Sequence, residues 1–382
     1  MQLPFSLVTY ADRTARVQAR LEREGLDAVL VSMPDNINWL TGYDTIGYLW
    51  FQLLVVPVRG EPVFVTRTME AAGVEGTSCL TDARYYDIVT QDPVAVAVDV
   101  LRERGLAEAR LGVELSAFTL LPVQWDAMRA ALPAAELRDA SLVVAAERVV
   151  KTPEELAYQR RAAQMADRAL LETVEALRPG ISETELAGIA SLALGEAGSE
   201  YAAIPPLVVS GERTPMMHAL ATGRTLSAGD VVLIELAGVS ARYHAVVMRT
   251  AVVGRPSPRV RAVADCLEEA MAAAIEACVP GAGAPAPDRA ANAVLERLDL
   301  VRRRAHRIGY SLGVAYPPTW LEPMVLAEGD PHRLQPGMSF TLEPNLYLPD
   351  EGFGMKLGET VTVTADGPES LTSLGHGLIV VA

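Results

Sequence analysis

The sequence predicts an α+β protein in two parts, and three observations carry that prediction. Strand and helix signals alternate over residues 1–149. Beyond them the order changes to helix pairs followed by hairpin-like strands, once over 152–253 and again over 257–364. The chain is also 382 residues long, more than one ordinary core serves. We therefore expect an α/β domain at 1–149. At 150–382 we expect an antiparallel sheet flanked by helices, with a pseudo-twofold repeat.

Each element follows from local chemistry. An amphipathic helix over 14–24 stops at Gly25, and short aliphatic runs at 28–31, 53–58 and 63–65 read as buried strands. Helices at 93–103 and 122–131 bracket a strand at 111–115. Thr152-Pro153-Glu154-Glu155 is a capping box with proline at the first helical position, so a long helix opens there and ends at Arg178-Pro179-Gly180. Ser182-Glu183-Thr184-Glu185 opens a second helix, to about residue 197. Strands are then expected at 206–210, 231–237, 243–253, 306–308, 339–348, 352–364 and 378–381. Residues 309–313 and 315–320, rich in Gly, Tyr and Pro, read as a pocket-shaping loop containing Tyr310 and Trp320.

Composition excludes several classes. Apolar residues make up 50% and the net charge is −15, so a globular, soluble protein is expected and a phosphate backbone is a poor partner. The N-terminus has no basic segment leading into an apolar one, and no run suits a membrane span, so neither signal peptide nor membrane is expected. Three widely spaced cysteines read as small buried hydrophobes in a reducing cytoplasm.

The informative positions are polar groups on apolar strands. Glu235 is the one charge in Val231-Val232-Leu233-Ile234-Glu235-Leu236-Ala237. A buried carboxylate costs several kcal/mol unless paired or protonated, so it reads as a site group with a raised pKa, or as a strand-end charge paired with Arg242 or Arg249. On the next strand, alternation places His244, Val246 and Met248 on one face, where His244 either joins Glu235 or is structural. Glu343 repeats the pattern in Phe340-Thr341-Leu342-Glu343-Pro344, and His218 follows a turn at Ser210-Gly211.

These motifs resemble the creatinase/prolidase/methionine aminopeptidase superfamily, whose catalytic domain has the pita-bread fold. The matching stretches are Asn38-Trp39-Leu40-Thr41-Gly42-Tyr43, Val150-Lys151-Thr152-Pro153-Glu154-Glu155, Gly229-Asp230-Val231-Val232-Leu233-Ile234, Leu334-Gln335-Pro336-Gly337-Met338 and the strand of Glu343. The resemblance implies a creatinase-like N-terminal domain and a metal site of two Asp, one His and two Glu. Carried over, those ligands fall on Glu235, Val246, Tyr310, Glu343 and Gly358, with Glu359 adjoining. Three ligands are thus replaced, and no dinuclear centre and no cofactor is expected. Glu235-Leu236-Ala237-Gly238, Arg242-Tyr243-His244 and Gly309-Tyr310-Ser311-Leu312-Gly313 are similar to the metal-free ectoine-hydrolase and creatinase branches, while the strand of Glu343 is prolidase-like.

The resemblance implies a metal-independent hydrolase of a C–N bond in a small amidine, guanidino or amide compound. In it Glu235 attacks or acts as base, His218 shuttles the proton, and Glu343 holds an amidinium that His244, Tyr310 and Trp320 help to place. It also implies a homodimer in which aromatics near Tyr43 and Trp50 close the partner's site; their other reading is core packing. Two alternatives stand beside this: a metal-dependent Xaa-Pro dipeptidase with atypical divalent-metal ligands, and a non-catalytic small-molecule binding protein.

Overall fold

In the computed structural model residues 3–216 and 218–381 are described; Met1, Gln2, Met217 and Ala382, including the outer ends of both expected domains, lie outside them. The chain divides into two compact units, Met1–Arg148 and Val149–Ala382.

In the first unit, helix α1 (Leu7–Glu24) is capped by the Ser6 hydroxyl and ends on Gly25 in the left-handed conformation. Strand β1 (Ala28–Val31), helix α2 (Pro34–Thr41), and strands β2 (Leu53–Pro57) and β3 (Val63–Arg67) follow. Then come α3 (Ala71–Thr77), β4 (Ala83–Tyr86), α4 (Pro93–Glu103), β5 (Arg110–Val113), α5 (Pro122–Ala131), β6 (Glu136–Asp139) and α6 (Ala145–Arg148). The six strands form one mixed sheet in the order β4-β3-β2-β1-β5-β6. Its centre is aliphatic and fully buried, whereas β4 and β6 at the edges carry polar, part-exposed residues. Those two strands, with α2 and α3, had no apolar periodicity to announce them.

The second unit opens with α7 (Pro153–Glu175) and α8 (Glu183–Glu196), each starting on a complete capping box, at Thr152/Glu155 and Ser182/Glu185. Strands β7 (Leu207–Ser210), β8 (Val231–Ser240) and β9 (Tyr243–Val253) form an antiparallel run. Helices α9 (Pro258–Glu276) and α10 (Ala286–Leu295) then precede β10 (Gly309–Tyr316), β11 (Thr319–Val325), β12 (Ser339–Leu342), β13 (Asn345–Leu348), β14 (Phe353–Lys356), β15 (Glu359–Thr364), β16 (Gly367–Ser370) and β17 (Ile379–Val381). The main sheet runs β16-β15-β12-β10-β9-β8-β7, with β11 on β10 and β17 on β9, while β13 and β14 form a separate ribbon. Helix α7 lies so close to the sheet that a Cβ on Gly238 would sit 2.0 Å from the Ala162 carbonyl oxygen, which requires glycine there.

Three expectations are corrected. Residues 306–308 are not a strand, and the supposed loop of Tyr310 and Trp320 is the β10–β11 hairpin, turning at Pro317-Pro318. Its glycines hid the strand period, yet Gly309 lets the backbone of Thr341 approach. The single strands expected at 339–348 and 352–364 are each broken. Pro344 carries no N–H for the ladder, so the chain leaves the main sheet after Glu343, and Leu357 N–H closes the divergence by donating to the Pro344 carbonyl.

Candidate active site

The site lies where the β13–β14 ribbon parts from the main sheet. Glu235 stands at the middle of β8, cross-strand from Met248 on β9. The long apolar pairing of these strands fixes its register and leaves its side chain on the face of Ala237, Val246 and Met248. Glu343 directly follows β12, at the break. Lys356 ends β14, locked to β9 by two bonds with the Thr250 hydroxyl, one accepted by its carbonyl at 2.8 Å and one donated by its N–H at 3.1 Å.

These residues line a cavity of about 520 Å³, together with His218, Tyr310 and Trp320. His306, Arg307, Asn345 and Tyr347 also face it. The Lys356 ammonium forms a buried ion pair with the Glu235 carboxylate. Neither Arg242 nor Arg249, the partners considered from sequence, takes that place. Arg242 turns under the Tyr201 and Tyr316 rings, and Arg249 pairs with Glu359 at 3.2 Å.

Burial and the nearby Glu235 charge push the Glu343 carboxyl up to about 8, against the pull of Lys356, Arg307 and a hydrogen bond from Tyr310. Glu343, the second carboxyl that the sequence places in an apolar strand, is thus held mostly protonated near neutral pH. Burial alone pulls Lys356 down, but the charges of Glu235, Tyr347 and Glu343 outweigh it and hold the ammonium above the ordinary lysine range. Trp320 donates its indole N–H to the Tyr310 hydroxyl at 2.8 Å, and the Tyr310 phenol is driven up by burial and by Glu343. The Arg307 guanidinium lies 5.0 Å from the Tyr310 ring centre, and its buried Nε has no hydrogen-bond partner.

The remaining expected residues lie elsewhere. His244 is fully buried behind Trp320, its Nδ1–H donating to the Arg242 carbonyl at 2.9 Å and its Nε2 accepting from Ala203 N–H at 3.0 Å. Burial, aided by Arg242, pushes it down to about 3, so it is a neutral structural histidine and not a substrate contact. Tyr43 and Trp50 belong to the first unit. Tyr43 is core there, packed on Phe64 with its hydroxyl on Glu70 at 3.1 Å, while the half-exposed Trp50 ring lies under Arg67 at 3.6 Å. Sequence reasoning missed Lys356 and Arg307. Lys356 had a usable signal, because it is a lone charge in Phe353-Gly354-Met355-Lys356-Leu357, as Glu235 is in its strand.

Two family models match the chain: the creatinase/prolidase N-terminal domain over 13–150 and metallopeptidase family M24 over 157–365. An ectoine hydrolase from Halomonas elongata is 30% identical over 399 residues, covering 100% of this chain and 99% of that protein. A probable dipeptidase PepE from Mycobacterium tuberculosis is 31% identical, covering 99% and 98%. Among solved structures, dipeptidase PepE from Mycobacterium ulcerans superimposes with a TM-score of 0.85 at 28% identity, covering 99% of both chains. A prolidase from Thermococcus sibiricus does so with 0.88 at 25%, covering 97% and 99%.

The M24 name implies divalent metal ions, and the side chains at the corresponding positions do not fit a dinuclear centre. Val246 and Gly358 offer no donor, the Tyr310 hydroxyl is engaged by Trp320 and Glu343, and an ammonium rests on Glu235. Met248 fills the space beside Gly358, where even a Cβ would lie 2.4 Å from its Cγ. Glu359 is spent on Arg249, Thr372 and His376. Among the described residues no three His, Cys, Asp or Glu side chains are grouped to hold a metal ion. With both halves matched along their lengths, the chain belongs to metallopeptidase family M24 of the creatinase/prolidase superfamily and is a hydrolase of C–N bonds.

Proposed function

We propose that the protein hydrolyses a C–N bond of a small amidine, guanidino or amide compound without a bound metal ion. The observation that carries this reading is the pair of carboxyls on one cavity in different surroundings: Glu235 in an ion pair with Lys356, and Glu343 pushed up to about 8 by burial and the Glu235 charge. Such divergence separates nucleophile or base from the group that meets the substrate's nitrogen. Glu235 removes a proton from the attacking water, or attacks the amidine carbon itself, after which water cleaves the bond to Glu235 and frees the carboxylate. Glu343 pairs with the amidinium, whose positive charge offsets the burial and the Glu235 charge that push this carboxyl up. His218, on the exposed loop beside the cavity, delivers the proton to the departing nitrogen. Arg307, with its spare Nε, suits a carboxylate elsewhere on the same substrate.

Ectoine, a cyclic amidine bearing a carboxylate and named in the Halomonas relative, is the first compound to assay. Glu235→Gln should abolish its turnover, by about a thousandfold or more, while binding is retained. Unchanged turnover contradicts the assignment. The dipeptidase and prolidase relatives favour a second reading, an Xaa-Pro dipeptidase with atypical ligands. Mn²⁺-dependent cleavage of an Xaa-Pro dipeptide, lost on chelation, would support it. We also infer a cytoplasmic homodimer. In it Trp50, rather than the buried Tyr43, reaches the partner subunit's site, since Trp50 and the neighbouring Ile46 and Leu49 expose apolar surface.

A further inference from the structure

His218 rides on a loop that begins after Ser210 and returns at Thr222, and both ends of that loop are tied to one buried carboxylate. Glu183, in the first turn of α8, accepts at Oε1 from the Ser210 N–H and hydroxyl, both at 2.8 Å. Its Oε2 accepts from the Thr222 N–H at 3.0 Å and the Thr222 hydroxyl at 2.9 Å. Arg213, inside the loop, pairs with the same oxygen and extends to the Thr222 hydroxyl at 3.1 Å and the Leu220 carbonyl at 2.9 Å. Farther out, the described backbone bonds are only local turns, Met216 to Arg213 and Ala219 to Met216. The loop is held once more at Thr214, whose hydroxyl accepts from the Gly354 N–H of β14 at 2.9 Å, so the tip that bears His218 owes its placement to the neck and to that one tie.

We propose that Glu183 is a positioning residue for His218, a clasp that closes the neck of the 211–221 loop and keeps the imidazole at the cavity. The inference rests on the reading of His218 as the proton carrier. Glu183 has full burial and no exposure to the cavity lining, so it acts through the loop. Every partner of its two oxygens is a donor. Glutamine has the same shape but presents an NH₂ on one side, so whichever way the amide turns, one end of the loop loses its backbone N–H bond to the clasp, leaving Ser210 on its pairing with β8 or Thr222 on the Thr184 N–H.

The test is a double-mutant cycle of Glu183→Gln and His218→Ala, read on ectoine turnover and by hydrogen exchange. In the wild-type background Glu183→Gln should lower kcat by about tenfold or more with KM within a factor of about two, because a misplaced proton carrier costs rate before affinity. In the His218→Ala background it should cost nothing further. Exchange should speed up over 208–224 and stay unchanged in the central strands. An equal factor in both backgrounds, or unaltered exchange in the loop, overturns the inference alone. Unchanged kcat in His218→Ala by itself overturns the His218 assignment and the clasp with it. Thr222→Val, which keeps the N–H and loses only the hydroxyl, serves in the same cycle should Glu183→Gln not fold, with the same pattern expected at smaller amplitude. Glu183→Asp, a shorter carboxylate, should recover part of kcat.

Discussion

At Glu343 a single carboxyl links charge to pH. Its pKa is raised to about 8 by burial and by Glu235, so below that pH it is mostly protonated. An amidinium needs the carboxylate form, so its binding releases a proton. For a cationic substrate, kcat/KM should rise with pH by about tenfold per unit and level off near the carboxyl's own pKa. Glu343→Gln should flatten that limb, and a flat or falling profile in the unmodified protein between pH 6 and 8 would contradict the assignment. Lys356→Met should cost about 3–5 kcal/mol of stability in denaturant melts, since it leaves the Glu235 carboxylate buried without its cation. Little change there would show that the pair is solvated. Glu235 and Glu343 were legible because a charge inside an aliphatic strand asks for a reason. Lys356, the lone charge in its own apolar strand, poses the same question. Arg307 gave no such signal, since it lies in a polar stretch, Arg302-Arg303-Arg304-Ala305-His306-Arg307.

Among elements, β8, β9 and α7 fix the geometry. Their boundaries were readable where caps or long aliphatic runs defined them, as at Thr152 and over Tyr243–Val253. They were unreadable where glycine interrupts the period, as in β10, or where proline divides one apolar run between two sheets, as at Pro344. Alternation does place His244 on the face of Val246 and Met248, but Trp320 of β11 stands between it and the cavity, a contact between distant segments that no strand pattern shows. The contact of α7 with β8 yields its own prediction. Gly238→Ala places a methyl 2.0 Å from the Ala162 carbonyl oxygen, so it should destabilise the unit by about 3 kcal/mol or more and lower activity through Glu235 on the same strand. A variant melting within about 1 °C of the parent would show that α7 can retreat.

Over the whole chain, the catalytic half keeps its superfamily's architecture and changes what the architecture holds. The helix-pair-and-strand order recurs, and the cavity opens where the sheets diverge, yet an ammonium and a thioether fill space beside the surviving carboxylates. Gly358→Glu alone should therefore not restore a ligand, because Met248 is in its way, and the variant should lose stability without taking up metal. No helix among the described residues is long and apolar enough to cross a membrane. The most direct test of the account is the metal content of catalytically active protein, measured by inductively coupled plasma mass spectrometry after dialysis against Mn²⁺ and Zn²⁺ and removal of the excess. The account predicts fewer than about 0.1 ion per chain, with turnover indifferent to added metal or chelator. One or two tightly held ions per chain, with turnover that depends on them, would contradict it.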